Sequence, residues 1–558
     1  MRWRNTTGTV LCALILALLP GTARAASPTI TKVWPRRGPV GKTVFISGSG
    51  LTGTTAVSFN GQAASFHVRS DARIQAIVPS GATTGPIEVT ADGVASSPNP
   101  FIVQPNIVLI LTDDQRFDQV DHMPTVQSEL IEKGVQFTNG FVVNPLCCPS
   151  RTTILTGKYS HGTDVYSNIP PHGGFQTFVT SLHEDRHTVA TWLQGAGYHT
   201  GLVGKYLNGY SVKKASYVSP GWDVWDALTL NGSNGGEGTG GYYDYNMSIG
   251  GVPAYYGTAE SDYSTDVLSN YATDFIQNAP TDQPLFLYFA PRAPHGPATP
   301  PARYADALAN VPPLRTPSYN EEDVSDKPAY IQAIPPWSDS LKASEDALYL
   351  RQYRSLLAVD DAVGNILQSL RNTGRLKDTL IVFASDNGLN FGEHRWLGKK
   401  VPYEESIRVP IIARYDALTP RAPVTDPRFV LNLDFAPTFA AAGGVSAPGS
   451  EGVSFLPLLD DSATQWRSDF LIEHLDPKVV KVPAYCAVRD ERYIYVEYST
   501  TDPLGNREQE LYDLQNDPYE LSNLLITDPA NPQVIATRAA MYNRMVQLCS
   551  PPPPGFTP

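Results

Sequence analysis

The stretch NPLCCPSRTTILTG, residues 144–157, sets two adjacent cysteines at the mouth of a segment that reads as a helix. Pro149 suits a first helical turn, where its missing N–H costs nothing. That places Cys147 just before the helix N-terminus and Arg151 one turn further on. A helix N-terminus beside an arginine is a seat for an anion. Two acidic pairs supply a second kind of chemistry. Asp113 and Asp114 close PNIVLILTDDQ, and Asp386 with Asn387 closes TLIVFASDNG. Oxygen donors of this kind suit a hard cation such as Ca²⁺ or Mg²⁺. Alone, a cysteine pair is most often buried packing and an Asp-Asp pair a turn or cap. The concurrence of an anion seat with two acidic strand ends is what points to a reaction centre.

Those side chains need elements to hold them. Ile107 to Leu111 is an unbroken apolar run, the pattern of a parallel strand buried on both faces. Further apolar strands in HTGLVGKY, PLFLYFA and TLIVFASDNG alternate with helical stretches, TVATWLQGAG and a long pattern from about Ser344 to Arg371. This predicts an α/β domain, a mixed and mostly parallel sheet flanked by helices, over residues 105–457. In such sheets the polar residues just past strand C-termini form the site, which is where Asp113 and Asp386 fall. Residues 27–104 read as short alternating strands split by Gly, Asn, Ser and Pro turns, a small β-sandwich without a catalytic constellation. Residues 458–558 read as a small α+β subdomain and tail. Two irregular stretches, LNGSNGGEGTGGYYDYN and residues 297–337, are long enough to be functional covers or surface insertions.

The string CCPSRTTILTG resembles the signature of the formylglycine-dependent sulfatases, a branch of the alkaline-phosphatase superfamily. On that resemblance Cys147 is the residue oxidised to formylglycine by a maturation enzyme, and Cys148 fills a free position as packing. The resemblance runs from about Pro105 to Leu525. LILTDDQ resembles the first metal motif and FASDNG the second, which implies Asp113, Asp114, Asp386, Asn387 and residue 147 as ligands of Ca²⁺ or Mg²⁺. LVGKYLNG carries Lys205, RAPHGP carries His295, and LGKKVPYEESIRVP carries Lys399 four residues before Tyr403, with Lys400 its immediate rival. The implied chemistry is attack on sulfur by the hydrated aldehyde. Arg151, Lys205 and Lys399 balance the sulfate charge, His295 or Lys399 protonates the departing alcohol, and the second hydroxyl expels sulfate. His394 in FGEH and Asn208 in GKYLN are candidate substrate contacts. ELYDLQNDPYELSNL is similar to the family's closing segment, and residues 27–104 resemble the immunoglobulin-like IPT/TIG module. Leu207 stands where many members carry His. The GKYLN variant resembles N-acetylglucosamine-6-sulfatases and endosulfatases, which implies a sulfated sugar, with Tyr206, Tyr242 to Tyr245 and Trp337 as rings that could stack on it.

Composition narrows the alternatives. A net charge of -13 over 558 residues argues against a nucleic-acid partner. The start, MRWRNTTGTVLCALILALLPGTARAAS, has a basic head, an apolar run at 10–19 and small residues at Ala23 and Ala25, a secretory signal over residues 1–26. That run is too short to span a bilayer, and no later stretch is long and apolar enough. The expected location is secreted, extracellular or periplasmic. Export permits disulfides, and Cys486 and Cys549 are the candidates to join the C-terminal subdomain to its last helix. Rival readings are an arylsulfatase, or a phosphate or phosphonate monoester hydrolase of the same superfamily. Phosphonate monoester hydrolases resemble Asp-His at the second metal motif, whereas Asp386-Asn387 stands here. A non-catalytic glycan-binding protein is the rival from another class; it would have lost key residues that this chain retains.

Overall fold

The computed structural model describes Met1 and residues 27–229, 241–419, 423–463, 465–475, 482–501 and 505–557. The expected signal segment, Met1 apart, and residues 230–240 of the Gly- and Tyr-rich stretch lie outside the described residues.

Alternation builds the N-terminal sandwich. In the strand Thr43–Ser49, Val44 and Ile46 are buried while their neighbours are partly exposed. One four-stranded sheet runs Thr29–Trp34, Thr43–Ser49, Arg73–Ile77, Phe66–Ser70; the other runs Gln62–Ala63, Ala56–Phe59, Ile87–Thr90, Val94–Ser96. Val44, Ile46, Val57, Phe59, Ile74 and Val89 meet between them.

The core of the molecule is a ten-stranded mixed sheet. Five neighbouring strands are parallel, in the order Val224–Thr229, His199–Lys205, Leu285–Ala290, Asn106–Thr112, Thr379–Ser385, and Ile411–Arg414 continues antiparallel. Every residue of Asn106–Thr112 is buried, because helices cover both faces. Ile107, Leu109 and Leu111 pack with Ile154 and Leu155 of the helix Cys147–Thr156 on one side. Val108 and Ile110 pack with Leu268 and Phe275 of Ser264–Asn278, and with Leu356 to Leu370 of Asp339–Asn372, on the other. That last helix begins five residues before the apolar pattern at Ser344. Ser338 caps it by accepting from Leu341 N at 3.3 Å, and the first turn is exposed, so no apolar periodicity marks it.

A four-stranded antiparallel sheet follows: Asp469–His474, Tyr485–Asp490, Tyr493–Thr501, Arg507–Asp513. The helix Pro532–Leu548 packs on it, and Cys486 is bridged to Cys549 just past that helix. The sandwich docks on the loops before the strands Thr379–Ser385 and His199–Lys205 and on the turn after the helix Phe435–Ala442. Ser80 Oγ and Gly81 N donate to Asp378 at 3.1 and 3.0 Å, Arg37 Nη1 to Gly444 O at 3.0 Å, and Gln104 Nε2 to Ala196 O at 3.1 Å. No helix among the described residues is long and apolar enough to cross a membrane.

Candidate active site

Parallel register brings the two acidic motifs together. Thr112 pairs with Ser385, so the residues that follow leave the sheet side by side, and Asp386 N donates to Thr112 O at 3.0 Å. Asp114 turns through a left-handed conformation, φ 67°, and its N–H reaches Asp386 Oδ1 at 3.2 Å. Asn387 Nδ2 donates to Asp114 Oδ1 at 2.8 Å. Lys205 ends the next strand but one, and its Nζ lies 2.6 Å from Asp113 Oδ2.

The cysteine helix enters this rim from the side. Leu146 is its extended N-cap, so the helix starts at Cys147 itself rather than just after it. All ten residues of the helix are buried. Arg151, one turn in, donates from Nε to Asp386 Oδ2 at 2.8 Å and from Nη1 to Lys205 O at 3.0 Å. Its Nη2 is buried without a hydrogen-bond partner. Cys147 Sγ sits 3.6 Å from Asp113 Oδ1 and 3.9 Å from Asp114 Oδ1. Lys399 Nζ lies 2.7 Å from that sulfur and also contacts Asp114 Oδ1. His295 Nε2 is 3.6 Å from Asp114 Oδ2, and its side chain keeps 30% of its surface exposed, against 13% for Lys399 and none for Asp113. The open side of the group is therefore the His295 side.

The electrostatics follow from crowding charge in a dry place. Against the cost of burial, Lys205, with His295, Arg151 and Lys399, holds Asp113 well below the usual carboxylate range. Burial, with Asp113 alongside, raises Asp386 to about 6. Burial lowers His295 to about 4, with Arg292 and Lys399 acting in the same direction. Burial pushes the Cys147 thiol up to about 11 and that of Cys148 to about 12. Neither sulfur is a thiolate at neutral pH.

The donor set fits a hard divalent cation. Ligand atoms of Asp113, Asp114, Cys147 and His295 lie within 4.8 Å of one another. Asn387 Oδ1 adds a buried acceptor with no partner, and Asp386 is a carboxylate whose charge calls for compensation beyond Arg151.

Sequence reasoning placed other residues less well. Cys148 does pack in the core, and its thiol lies against the backbone of Gly174 and Asn208. Asn208 thus stands beside Cys148, with a buried and unpartnered Oδ1. His394 is fully buried and bonds Glu321 Oε2 at 2.7 Å through Nδ1. Its Nε2 has no hydrogen-bond partner, so no hydrogen bond joins the ring to the Asp113 group. Of the expected stacking rings, Tyr242, Tyr206 and Trp337 are interior, donating to His295 O, bonding Ser219 and donating to Arg395 O, and Tyr243 is half-exposed. Asn168, whose Oδ1 accepts from Cys148 N at 2.9 Å, and Gln352, which donates to Pro294 O at 3.2 Å, were missed. No local signal marks either. Arg292 lay in the quoted RAPHGP; its Nη2 is 3.5 Å from His295 Nδ1.

Comparison with known proteins decides the lineage. Residues 105–445 match the Sulfatase family. The chain belongs to the sulfatase family. Residues 392–549 of this sulfatase match the N-sulphoglucosamine sulphohydrolase C-terminal domain, and residues 28–103 match the IPT/TIG domain. It is 31% identical over 484 residues to the N-acetylglucosamine-6-sulfatase of Homo sapiens, covering 80% of this chain and 85% of that one. It is 34% identical over 382 residues to the Drosophila melanogaster extracellular sulfatase SULF-1 homologue, covering 66% of this chain but only 33% of the relative's length. Among solved structures it superposes with TM-score 0.66 and 23% identity on a protein in complex with its substrate D-glucosamine-2-N,6-O-disulfate, covering 81% of this chain and 99% of the other. The sulfatase fold, with its N-terminal TIG sandwich and β-rich C-terminal subdomain, is thereby established.

Proposed function

We propose that this protein is an exported sulfatase that hydrolyses sulfate monoesters of sugars, such as N-acetylglucosamine 6-sulfate, with residue 147 as its nucleophile. The observation that carries the reading is the position of Cys147 Sγ, 2.7 Å from Lys399 Nζ and beside both Asp113 and Asp114. A thiol raised by burial is a poor nucleophile in that place. Conversion to formylglycine by a maturation enzyme supplies, on hydration, one hydroxyl to attack sulfur and a second to release sulfate.

This chain's own residues then divide the work. Arg151 presents its free Nη2 toward the carboxylate group and, with Lys205 and Lys399, sets three cationic side chains around one small space. Fixed cations of this kind stabilise charge on an anionic ester as it reacts. Lys399 keeps its proton, because against the cost of burial Asp114, with Asp113 and Asp386, holds it well above the usual lysine range. His295, on the exposed side and neutral at pH 7, is placed to hydrogen-bond the departing alcohol, and the protonated Lys399 is the proton donor. Asp113, Asp114, Asp386 and Asn387 would hold Ca²⁺ or Mg²⁺, which neutralises sulfate oxygens when bound.

Support for the sugar comes from the relatives, one of them an N-acetylglucosamine-6-sulfatase, and from Leu207 in the GKYLN segment. Support for export comes from the leader at 1–26, from the Cys486–Cys549 bridge and from a relative named as extracellular. The test compares kcat/KM for N-acetylglucosamine 6-sulfate, an aryl sulfate and a secondary sugar sulfate. The 6-sulfate is expected to lead; preference for either competitor overturns the sugar assignment, and absence of sulfate release from all three overturns the sulfatase reading.

A further inference from the structure

A second buried group of ligand-type side chains lies outside the Asp113 cluster. One ring nitrogen of His394 and one carboxylate oxygen each of Glu405 and Glu520 fall within 4.8 Å of one another. All three residues are buried, at 0%, 6% and 1% exposure. Buried carboxylates by themselves do not make a site, but the histidine adds an independent mark. Its Nδ1 is bonded to Glu321 Oε2 at 2.7 Å, which leaves Nε2 as the ring's second nitrogen. That atom is buried and has no partner. A histidine whose one nitrogen is fixed by a carboxylate, with a bare lone pair on the other, has the arrangement of a metal-ligating imidazole.

The surroundings point the same way. Asn390 Oδ1 and Ser406 Oγ, from the same stretch of chain, are likewise buried without partners, and Asn390 Nδ2 lies 3.5 Å from Glu405 Oε2. Buried polar atoms are rarely left unbonded, and His394 Nε2 is such an atom. The neighbouring cations are engaged elsewhere. Arg116 is held by Glu393 at 2.7 Å and Asp118 at 2.9 Å, and Lys327 by Asp326 at 3.0 Å and Glu321 at 3.4 Å.

We infer that His394, Glu405 and Glu520 form a second cation site, separate from the one at Asp113, for a first-row transition metal such as Zn²⁺. Imidazole nitrogen with carboxylate oxygens selects Zn²⁺ over Ca²⁺ or Mg²⁺. Three protein ligands leave a fourth position for water or the Asn390 amide. A cation about 2 Å from each ligand draws the three atoms closer by small side-chain rotations. The ligands come from two parts of the chain: His394 and Glu405 flank Lys399, and Glu520 belongs to the C-terminal region, where its Oε2 accepts from Glu404 N at 3.0 Å. The metal therefore fastens the segment that carries Lys399 to the C-terminal subdomain.

Two measurements on the full-length protein test this. Crystals grown with Zn²⁺ and recorded across the zinc absorption edge should show an anomalous peak at His394 Nε2; a peak confined to the Asp113 group, or none, overturns the inference. Elemental analysis after Zn²⁺ loading and desalting should find one fewer zinc per chain in folded His394→Gln and Glu405→Gln than in wild type; an unchanged count overturns it. Should neither variant fold, the anomalous map of the wild-type protein decides alone. The reading stands or falls independently of the reaction at Cys147.

Discussion

Lys399 Nζ lies 2.7 Å from Cys147 Sγ, across 252 positions of sequence. Spacing to Tyr403 favours Lys399 over its neighbour Lys400, and the contact places Lys399 at the cysteine. Lys400, next door, has a left-handed backbone, φ 85°, and its N–H is turned to Pro145 O at 3.1 Å. Lys399→Ala should lower kcat/KM for a sulfate ester by about 10²- to 10³-fold, as expected for loss of one preorganised charge. Lys400→Ala should leave it nearly unchanged. Steady-state kinetics of the two purified variants settles the register, and the reverse pattern would show it to be wrong.

The paired cysteines make a second contrast. Cys147→Ala should fold normally and lose activity by about 10³-fold or more. Cys148→Ala should keep turnover and lose about 1–2 kcal/mol of stability, because it removes buried volume beneath the helix. The mass of the wild-type peptide containing residue 147 provides a direct check: an aldehyde in place of the thiol is expected there, and at 148 a plain cysteine.

Cation removal should be visible without catalysis. Dialysis against a chelator should lower Tm and abolish turnover together, and Ca²⁺ or Mg²⁺ should restore both. A ligand at 100 times its Kd adds about 2.7 kcal/mol to folding stability. Asp386→Asn should lose most of that response, which calorimetric titration can measure. A chelated protein with full activity would remove the cation from the proposal.

A pH effect is expected away from the site. His161 Nε2 lies 3.3 Å from Glu451 and Nδ1 3.1 Å from Glu473 in the C-terminal sheet. Although burial opposes its charge, the hydrogen bonds it donates to those carboxylates lift it to about 10, above its ordinary 6.5. A raised value stabilises the fold fully below pH 6.5 and loses that contribution as pH climbs toward 10. His161→Gln should therefore cost about 3 kcal/mol near pH 6, with the gap to wild type closing between pH 6.5 and 10. Thermal melts of both proteins across that range provide the measurement. A gap independent of pH would mean the ring is neutral.

Removing residues 1–104 should leave kcat/KM for a small soluble ester unchanged. Every proposed site residue lies after that point, and the sandwich touches loops such as the one at Asp378, at the start of the strand Thr379–Ser385. Loss of small-ester turnover in a folded truncated protein would show that the module shapes the site.

Much of this site was legible because its residues sit next to strong local patterns. The runs ending at Thr112 and Ser385 read as buried parallel strands, and neighbouring parallel strands deliver their following residues to one edge. Asp113 and Asp386 were therefore predictable as a pair. The helix start was off by one position because Leu146, an apolar residue, serves as N-cap without a side-chain bond. Sequence spacing also put His394 near Asp386, yet a left-handed turn at 394 and 395 swings the ring into a pocket of glutamates. Asn168 and Gln352 hold their partners by contacts over 20 and 58 positions; periodicity records which side of an element is buried, not which distant backbone atom a side chain will find. The tyrosines looked like sugar platforms because aromatic residues serve both surfaces and interiors.

The docking of the sandwich has a consequence for direction. It grips the strand starts, and the reacting group lies at the strand ends, about 23 Å away along seven residues of extended chain. The module and the reacting group thus take opposite ends of the sheet, and the module does not cover the strand ends where Asp113 and Asp386 emerge.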